Sequence, residues 1–303
     1  MIETGKPSVP PPNIDNCICI MVTFNPDAAI RDRIDSILKA QLKLLIVDNS
    51  TQESARHYLN AVAQSLNVEI VSNNSNRGLG YALNQGFRYA LMHTYEWCIF
   101  FDQDTVVYPT FFKTLSACVS DCGNSAALFG SNYNDSRGAG SRYKRNEKEN
   151  RTCIETKTVI TSGAMMPARF YQDLGGYRED YFIDSIDHEF CLRCRLHGIK
   201  VFLSTLVSQE HLLGDNRSKT WPLNKIPRHA SNRKYYIARN VVATIKLYWR
   251  HEPLWCLKQI FRLAVELLVV IFFEKDKRKK SRAFLKGIID GLAGRMGSRE
   301  NHD

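Results

Sequence analysis

The stretch "CIFFDQDTVV", Cys98 to Val107, places two aspartates directly after an apolar run. The run does not alternate between apolar and polar residues, so it predicts a strand that is covered on both faces. Asp102 and Asp104 lie at positions i and i+2, and in an extended chain such side chains point the same way. Carboxylates held that close repel unless a cation lies between them, and a hard divalent ion is the usual partner. The alternative is a solvated turn in which one aspartate caps a helix.

Short apolar runs alternate with helical stretches on the N-terminal side of this segment. The runs are "CICIMVTF" (17–24), "LKLLIVDN" (42–49) and "VEIVSN" (68–73), and helices are predicted over 28–38, 54–66 and 79–92. Strands that alternate with helices of this length predict parallel pairing through right-handed crossovers. The fold class is therefore α/β, with a mostly parallel sheet flanked by helices and a Rossmann-like first half. In such sheets ligands bind beyond the carboxyl ends of the strands.

Polar residues occur at all four of these strand ends. Thr23 and Asn25 follow the first run, Asp48 and Asn49 the second, residues 73–77 the third, and Asp102 and Asp104 the fourth. Each cluster alone would be an ordinary loop, but together they would share one rim of the sheet. This convergence favours a ligand site over a solvated turn.

Composition and charge narrow the class of protein. Hydrophobic residues make up 44% of the chain, which is typical of a folded globular protein. The nine cysteines have no metal-ligand spacing, which favours a reducing, cytosolic compartment. A formal charge of +10 suits an anionic partner such as a nucleotide or an acidic lipid surface. Nucleic acid is not predicted as a partner, because the basic residues are not interleaved with stacking aromatics in a recognisable module.

The chain changes character at both ends. Residues 1–16 are rich in prolines and acids, lack the pattern of a signal peptide, and are predicted to be a flexible leader. The polar segment 135–157 is predicted to be a mobile loop. Farther on, residues 187–197 read as a helix ended by Gly198, and residues 200–211 as one or two strands.

Residues 221–303 are predicted to be helical and to associate with a membrane. Leu254 to Phe273 is almost wholly apolar, and its charges Lys258, Arg262 and Glu266 are four residues apart, which predicts that they share one helix face. The basic run "EKDKRKKSR" follows, so the segment reads as an anchor on an anionic membrane surface. A spanning helix is disfavoured by the three charges. The alternative is a helix packed on the rest of the chain or on a second copy in a homo-oligomer.

A family resemblance emerges from the ordered motifs. The motifs "VTFNP", "VDNS", "NRGLGYALNQG", "FFDQD", "TSGAMMP", "GGYRED" and "FIDSIDHEFCLR" resemble those of family 2 glycosyltransferases with the GT-A fold, and most of all the bacterial L-rhamnosyltransferases of O-antigen and other surface-polysaccharide assembly. The resemblance covers roughly residues 17–216 and implies a GT-A catalytic domain over 17–220, with a nucleotide-sugar half (17–105) and an acceptor half (106–220). It also implies a nucleotide-sugar donor, dTDP-L-rhamnose by likeness to the rhamnosyltransferases, with Mg²⁺ or Mn²⁺. The resemblance also implies inversion at the anomeric carbon and a lipid-linked saccharide acceptor. It further implies that the enzyme is bound peripherally at the cytoplasmic face of the bacterial inner membrane.

The resemblance assigns roles to residues on the donor side. Asp104 matches the metal ligand, and Asp102 a ribose contact or a ligand that reaches the metal through water. Asp48 matches the acceptor for the N–H of a pyrimidine base, and a carboxylate suits that edge because it only accepts. The remaining matches are Thr23 and Asn25 in the base pocket, Arg77, Asn84 and Gly163 near the donor, and His211 as a further metal or diphosphate contact. Asp48 as a helix cap, Arg77 as a solvated loop residue and His211 as a surface or core histidine are the structural alternatives.

The acceptor side contains three acids near a helix start, Asp184, Asp187 and Glu189. Only Asp187 matches the position of the family's catalytic carboxylate, which implies that it is the general base that deprotonates the acceptor hydroxyl. The alternative is an aspartate that merely favours the helix dipole. Two rival functions stay open at this point: a metal-dependent nucleotidyltransferase, and a non-catalytic saccharide-binding protein at the membrane face.

Overall fold

The structure, a computed structural model, describes residues 9–123, 126–135, 140–145, 150–211, 216–217 and 227–299. The strands are β1 (Cys17–Thr23), β2 (Leu44–Asp48), β3 (Glu69–Ser72), β4 (Trp97–Asp102), β5 (Val106–Val107), β6 (Leu128–Asp135), β7 (Gly140–Ser141), β8 (Cys153–Glu155), β9 (Ala164–Pro167), β10 (Val201–His211), β11 (Asn216–Arg217) and β12 (Pro227–Arg228). The helices are α1 (Ile30–Lys39), α2 (Glu53–Leu66), α3 (Leu79–Met92), α4 (Phe111–Asp121), α5 (Phe170–Leu174), α6 (Ile186–Leu196), α7 (Ser231–Tyr248), α8 (Pro253–Phe273) and α9 (Lys277–Ala293), with a 3₁₀ turn at Glu179–Tyr181.

The central sheet is mixed, which corrects the prediction of a mostly parallel one. Its strand order is β3-β2-β1-β4-β9-β6-β10-β5, with β7 and β8 paired at β6 and β10. The half formed by β3, β2, β1 and β4 is entirely parallel, as the alternating pattern predicts. Strand β9 is antiparallel to both β4 and β6. The difference arises in the second half, where β6 is followed by strands before any helix, so the crossover that enforces parallel pairing is missing.

The central strands β1, β2 and β4 are covered on both faces, which is why they are apolar up to their carboxyl ends. Alternate residues of β1 enter opposite cores: Ile18, Ile20 and Val22 pack on the side of α3 and α6, whereas Cys17, Cys19 and Met21 pack on the side of α1, α2 and α4. Helix α1 buries Ile30, Ile34 and Ile37, one stripe of an amphipathic helix. The α/β class with a flanked sheet is therefore confirmed.

The C-terminal helices pack against one another and against the sheet domain. Phe284 of α9 and Val241 of α7 share a small core with Leu263 of α8, and Trp255 and Cys256 of α8 pack on Leu192 of α6. No helix within the described ranges is long and apolar enough to cross a membrane.

Two other predicted segments are partly described. The leader is described from residue 9, where Trp97 Nε1 donates a hydrogen bond of 2.8 Å to the Pro10 carbonyl, so residues near it are attached to β4. Residues 1–8 lie outside the described residues. The predicted loop 135–157 contains the short strands β7 and β8, and residues 136–139 and 146–149 of it lie outside the described part.

Candidate active site

The parallel half of the sheet brings its polar strand ends to one rim. Thr23 is in register with Asp48, Asp48 with Ser72, and Val22 with Asp102. Because parallel strands in register end at the same edge, Thr23, Asp48 and Asp102 lie on adjacent strands at that edge. The structure therefore assembles the rim that the sequence pattern predicts.

Asp48 is buried and held by its neighbours. Its Oδ1 accepts hydrogen bonds from Thr23 Oγ1 at 2.8 Å, from Ser50 Oγ at 2.6 Å and from the Ser50 backbone N–H at 3.1 Å. These donors fix the orientation of the carboxylate and stabilise its charge away from water. Thr23 and Asp48 thus form one buried unit at the rim.

Asn25 and Arg77 lie near this unit but have local contacts of their own. Asn25 Oδ1 accepts hydrogen bonds from the backbone N–H groups of Thr51 and Gln52 at 2.9 and 3.0 Å, directly before α2. The exposed guanidinium of Arg77 lies 4.5 Å from the ring centroid of Tyr81. Donor binding by either residue stays a prediction.

Asn84 is buried inside α3 and holds another segment. Its Nδ2 donates to the Tyr177 carbonyl and to Glu179 Oε1, each at 2.9 Å, and its Oδ1 accepts from the Tyr177 N–H at 2.8 Å. A Cβ at Gly80 would lie 2.6 Å from the Arg178 carbonyl oxygen, so this motif of α3 needs a glycine to approach residues 177–182. The contacts give Asn84 a structural role in joining the two halves of the domain, and its donor contact also stays a prediction.

The two aspartates follow a turn and not an extended strand. Strand β4 ends at Asp102, and the Thr105 N–H donates to the Asp102 carbonyl at 3.2 Å, which closes a turn over Gln103 and Asp104. This corrects the assumption that strand geometry aligns the two carboxylates. Gln103, between the two aspartates, points toward β1: its Oε1 accepts from the Phe24 N–H at 2.7 Å and its Nε2 donates to the Phe24 carbonyl at 3.2 Å, joining the ends of β4 and β1.

The chemistry of this pair fits a hard divalent cation. Both side chains offer carboxylate oxygens at the rim, the ligands that Mg²⁺ and Mn²⁺ prefer. In the described part of the chain, no group of three or more His, Cys, Asp or Glu side chains is placed to hold a metal. The residues therefore fit an ion that takes its other ligands from phosphate and water. The predicted third contact, His211, ends β10, but its side chain lies outside the described residues.

Gly163 lies directly behind the aspartate turn. Its N–H donates to the Phe100 carbonyl at 2.7 Å, and its φ is +76°. A Cβ at this position would overlap Ser131 Oγ, so only glycine fits. Close behind it, Gln209 Nε2 donates to the Ser162 carbonyl at 3.0 Å. Gly163 thus lets β9 start beside the end of β4, which supports the turn at Asp102.

The three acids at the start of α6 have different surroundings. Asp184 forms an ion pair with Arg233 at 3.0 Å, and burial raises its pKa although the Arg233 guanidinium opposes that shift. Glu189 is buried, with Arg193 Nη2 at 2.6 Å and the Tyr248 hydroxyl at 2.8 Å. Arginines thus neutralise both of these carboxylates within the fold.

Asp187 is the acid that faces a pocket. It lies in the first turn of α6, and its Oδ1 accepts a hydrogen bond from the His188 N–H at 2.8 Å. The small pocket beside it is lined by Leu128, Val159, Ile160, Thr161, Ala164, Tyr177, Phe190 and Cys191. Thr161 and Ala164 flank Gly163, so the pocket of Asp187 reaches the strand that pairs with the end of β4.

His188 links this acid to the C-terminal helices. Its ring centroid lies 6.0 Å from that of Trp255 in α8. Burial lowers the pKa of His188, and Arg262 and Arg142 lower it further although Asp187 acts to raise it. The imidazole is therefore neutral near neutral pH and adds no positive charge beside Asp187.

Comparisons with known proteins show the family to which the chain belongs. Residues 18–175 match the family described as Glycosyl transferase family 2. The chain is 30% identical over 295 residues to the dTDP-rhamnosyl transferase RfbF of Shigella flexneri, covering 93% of this chain and 97% of that protein. The chain belongs to glycosyl transferase family 2. It is a glycosyltransferase whose sequence is similar to a rhamnosyltransferase, and this confirms the resemblance drawn from its motifs.

Solved structures show the same fold at low identity. TarS of S. aureus, residues 1–349 in complex with UDP-GlcNAc, is similar with a TM-score of 0.59 and 13% identity, covering 91% of this chain and 81% of that chain. The mannosyltransferase PcManGT of Pyrobaculum calidifontis, in complex with GDP-Man and Mn²⁺, gives 0.56 and 15% over 92% and 88%. GalNAc-T7 with UDP, GalNAc and Mn²⁺ gives 0.60 and 13% over 91% and 56%. The family 2 glycosyltransferase described here thus has a GT-A-like α/β fold.

Several residues of this glycosyltransferase site were missed by sequence reasoning. Ser50 holds Asp48, and Gln103 joins two strand ends, although both lie inside the quoted motifs. Arg233 and Asn240 of α7 contact the segment before Asp187 from far along the chain. For Asn240 the available signal was the polar pair Arg239-Asn240 in the apolar run "YYIARNVVA" (235–243), because polar groups that are buried need hydrogen-bond partners.

Proposed function

We propose that this glycosyltransferase transfers L-rhamnose, with inversion, from dTDP-L-rhamnose to a lipid-linked saccharide acceptor in the synthesis of a bacterial surface polysaccharide such as O-antigen. The likeness to RfbF along nearly the whole chain supports the choice of sugar. The observation that carries the mechanism is the separation of the acids: Asp184 and Glu189 are paired with arginines, whereas Asp187 lines a small cavity that Ala164 of β9 also lines.

The donor nucleotide would bind at the rim formed by β1, β2 and β4. Asp48 would accept the base N–H, because three donors on its Oδ1 hold the carboxylate in one orientation. Thymine and uracil both carry that N–H, so Asp48 would disfavour adenine and cytosine, which lack a ring N–H on that edge, without distinguishing thymine from uracil. Thr23 would act through Asp48, and Arg77 would balance charge on the diphosphate.

Asp102 and Asp104 would hold a divalent metal, Mg²⁺ or Mn²⁺. Such an ion, when bound, neutralises the negative charge that develops on the diphosphate leaving group. The turn closed by Thr105 and the contacts of Gln103 with Phe24 keep the two carboxylates at the rim. This rigidity favours charge stabilisation, since little reorganisation is needed when the bond to the sugar breaks.

Asp187 would accept the proton of the acceptor hydroxyl as that oxygen attacks the anomeric carbon. Inversion requires attack opposite the departing diphosphate, so the base must lie on a different segment from the metal ligands. The first turn of α6 meets that requirement and also stabilises an ionised carboxylate through the helix dipole. The apolar side chains that line the small cavity behind Asp187 would keep water from that side of the carboxylate.

The acceptor would be reached at the cytoplasmic face of the inner membrane, where we propose that the enzyme binds peripherally. The outward surface of α8 is apolar, with Leu254, Phe261, Phe272 and Phe273 more than half exposed. Its buried side carries Gln259 and Glu266 beside apolar residues such as Leu263 and Val270. A helix that exposes several large apolar side chains next to basic ones suits a lipid surface better than water.

The charges of this region also favour an anionic lipid surface. Between residues 253 and 293, Glu266, Glu274 and Asp290 are buried, and Asp276 is the one exposed acid. The exposed basic side chains are Lys258, Arg262, Lys275, Lys277, Arg278, Lys279 and Arg282. A second copy placed symmetrically on this face would bring like charges together, whereas anionic lipid would neutralise them.

A donor panel tests the function directly. Purified enzyme and Mn²⁺ or Mg²⁺ are incubated with a lipid-linked saccharide acceptor and dTDP-L-rhamnose, dTDP-glucose, UDP-GlcNAc or GDP-mannose, and nucleotide release and product mass are measured. We expect acceptor-dependent dTDP release and a product heavier by one deoxyhexose, only with dTDP-L-rhamnose and metal. Pyrophosphate formation from a nucleoside triphosphate and a sugar phosphate would instead identify a nucleotidyltransferase, and saccharide binding without turnover a non-catalytic protein.

A further inference from the structure

The segment between the 3₁₀ turn and α6 has an unfavourable backbone. Phe182 has φ 64° and ψ −61°, and the Ile183 N–H donates to the Tyr181 carbonyl at 2.8 Å, which makes Phe182 the centre of a γ-turn with positive φ. Asp184 and Ser185 have φ values of 66° and 60°. Non-glycine residues rarely adopt this region, because their Cβ crowds the backbone. Such a segment persists only where its surroundings hold it, and it leads directly into the helix that carries Asp187.

Helix α7 supplies much of that support from its buried face. Asn240, fully buried, directs its Nδ2 to the carbonyls of Tyr181 at 2.9 Å, Ile183 at 2.7 Å and Asp184 at 2.9 Å. The neighbouring Arg239, also fully buried, donates through Nη2 to the Tyr181 carbonyl at 2.9 Å and through Nε to Asn240 Oδ1 at 2.9 Å. One amide group thus binds the carbonyls of the strained turn, and an arginine orients that amide.

Arg233 holds the same segment through a side chain. Its Nε lies 3.1 and 3.2 Å from Asp184 Oδ1 and Oδ2, and its Nη2 lies 3.0 Å from Oδ1. A guanidinium that binds both carboxylate oxygens fixes direction as well as distance. On the opposite side, the Leu79 N–H of α3 donates to the Phe182 carbonyl at 2.6 Å. The turn is therefore clamped between α3 and α7, three residues before Asp187.

We infer that Arg233 and Asn240 are positioning residues, which hold the strained 182–185 turn so that Asp187 faces the sugar and not solvent. The C-terminal helices are then part of the catalytic apparatus of this glycosyltransferase and not only its attachment to the membrane. The inference rests on the proposed function to the extent that Asp187 is the base. Misplacing a catalytic group by about 1 Å costs on the order of 100-fold in rate, which sets the size of the expected effect.

The first test uses variants of Arg233 and Asn240, the two α7 side chains that hold the 182–185 turn, one partly exposed and the other buried. Arg233 is partly exposed, so Arg233→Gln should leave the fold intact, and Asn240→Leu removes the amide donors with similar volume. We expect kcat to fall roughly 10- to 100-fold in each, with KM for dTDP-L-rhamnose and the affinity for dTDP within about twofold of wild type. Arg233→Lys keeps a positive charge beside Asp184. Its kcat should therefore recover most of what Arg233→Gln loses.

Matched controls separate positioning from general destabilisation. Asn60 lies on the exposed side of α2 and Arg31 on the exposed side of α1, so Asn60→Leu and Arg31→Gln make the same chemical changes away from the clamp. These variants should keep wild-type kcat and KM. A loss of dTDP affinity in parallel with kcat, or wild-type kcat in Arg233→Gln, would overturn the inference.

A double-mutant cycle with Asp187→Asn completes the test. If α7 acts through Asp187, the double variant Asp187→Asn with Arg233→Gln should be no slower than Asp187→Asn alone, because the group being positioned is already gone. Additive losses would contradict positioning. Near wild-type transfer by Asp187→Asn would instead refute Asp187 as the base. If Asp187→Asn is inactive but Arg233→Gln is fully active, only the positioning role is refuted.

Discussion

At the residue scale, the surroundings of each acid decide its role. Asp184, Asp187 and Glu189 lie within six residues of one another, yet two of them are bound by Arg233 and Arg193. Asp187→Asn keeps the size of the side chain but removes the proton acceptor, so we expect transfer to fall roughly 100- to 10,000-fold. Titration calorimetry should give unchanged affinities for dTDP and Mn²⁺. Loss of transfer caused by loss of donor binding would move the base to another acid.

The aspartate turn supports a second prediction at this scale. Asp104→Asn removes a charged oxygen ligand but preserves shape, so the turn closed by Thr105 should form as before. We expect weaker Mn²⁺ binding, measured by electron paramagnetic resonance, and a fall in turnover of roughly 1,000-fold. The circular dichroism spectrum and melting temperature should match those of wild type. Normal turnover with the usual metal dependence would remove Asp104 from the metal site.

At the scale of the element, α8 departs from the pattern expected of its charges. Lys258 and Arg262 are exposed, but Glu266 is buried and lies 2.9 Å from the fully buried Lys234, which corrects the prediction of one shared face. Four residues exceed one helical turn, so each step rotates the side chain about 40° around the axis. Lys234 is the ion-pair partner of Glu266 in the interior of the protein, and it also lies 3.0 Å from Glu274.

This buried ion pair network predicts a large effect on stability. Lys234→Met leaves Glu266 buried without its partner and Glu274 with Lys280 alone, so we expect a loss of about 3 kcal/mol in the free energy of unfolding. Urea denaturation followed by circular dichroism measures it. Lys258→Met, on the exposed side of α8, should change the free energy of unfolding by less than about 0.5 kcal/mol. Equal effects of the two substitutions would contradict the role of the network.

The same network predicts a dependence of stability on pH. Burial of Glu274 acts to raise its pKa, but hydrogen bonds from Lys280 and Lys234 outweigh burial, and the pKa lies below its ordinary value of 4.5. A carboxylate with a lowered pKa in the folded state stabilises the fold above its unfolded pKa, and this stabilisation is lost as the pH falls through the folded pKa. In urea titrations from neutral pH to below about pH 4.5, Glu274→Gln should therefore lose less stability than wild type. An unchanged slope would exclude Glu274 as a source.

At the scale of the whole molecule, the C-terminal helices have two contrasting surfaces. Arg233 and Asn240 face the turn before Asp187, while α8 presents an apolar surface outward. Removing the helices from Leu254 onward would uncover Lys234 and the core shared by α7, α8 and α9, so truncation would disturb the fold as well as the surface. Point substitutions on the outer surface are the cleaner test of membrane binding.

We expect the full-length protein to sediment with phosphatidylglycerol vesicles more strongly than with phosphatidylcholine vesicles, and less as salt rises. Replacing three exposed basic residues by glutamine should weaken binding to the anionic vesicles roughly 100-fold: Arg278, Lys279 and Arg282. Three exposed basic residues elsewhere serve as the charge-matched control, and their replacement should weaken binding far less: Arg31, Lys39 and Lys200.

The apolar contribution is tested in the same assay. Phe261→Gln with Phe272→Gln should weaken binding to both kinds of vesicle, because each ring is well exposed and would enter the lipid interface. Met92→Gln, at an equally exposed position on α3, is the control. The surface would instead bind a second copy of the chain if three results were found together. The wild-type protein would not bind vesicles, it would be a dimer by light scattering, and the Phe261 and Phe272 double variant would be a monomer. Vesicle binding needs no turnover, so this test is independent of the sugar transferred.

The sequence by itself determined the parallel half of the fold and the donor rim. Runs such as "LLIV" and "CIFF" are apolar without alternation, so only a strand covered on both faces satisfies them, and α2 and α3 occupy the stretches predicted between the runs. Once the strands are parallel, their register brings Thr23, Asp48 and Asp102 to one edge without further information. The periodicity of local stretches is enough for this, because each crossover joins neighbouring strands.

Only the tertiary structure decided what depends on partners far apart in the chain. Three features involve residues that only folding brings together: the antiparallel pairing of β9, the burial of Glu266, and the contacts of Arg233 and Asn240 with the 182–185 turn. Local pattern cannot foresee them, since a buried charge or a strained turn is stable only when a distant group compensates it. For the same reason, local pattern alone does not distinguish the three acids near α6; the family resemblance points to Asp187, and the fold adds that Asp184 and Glu189 have arginine partners.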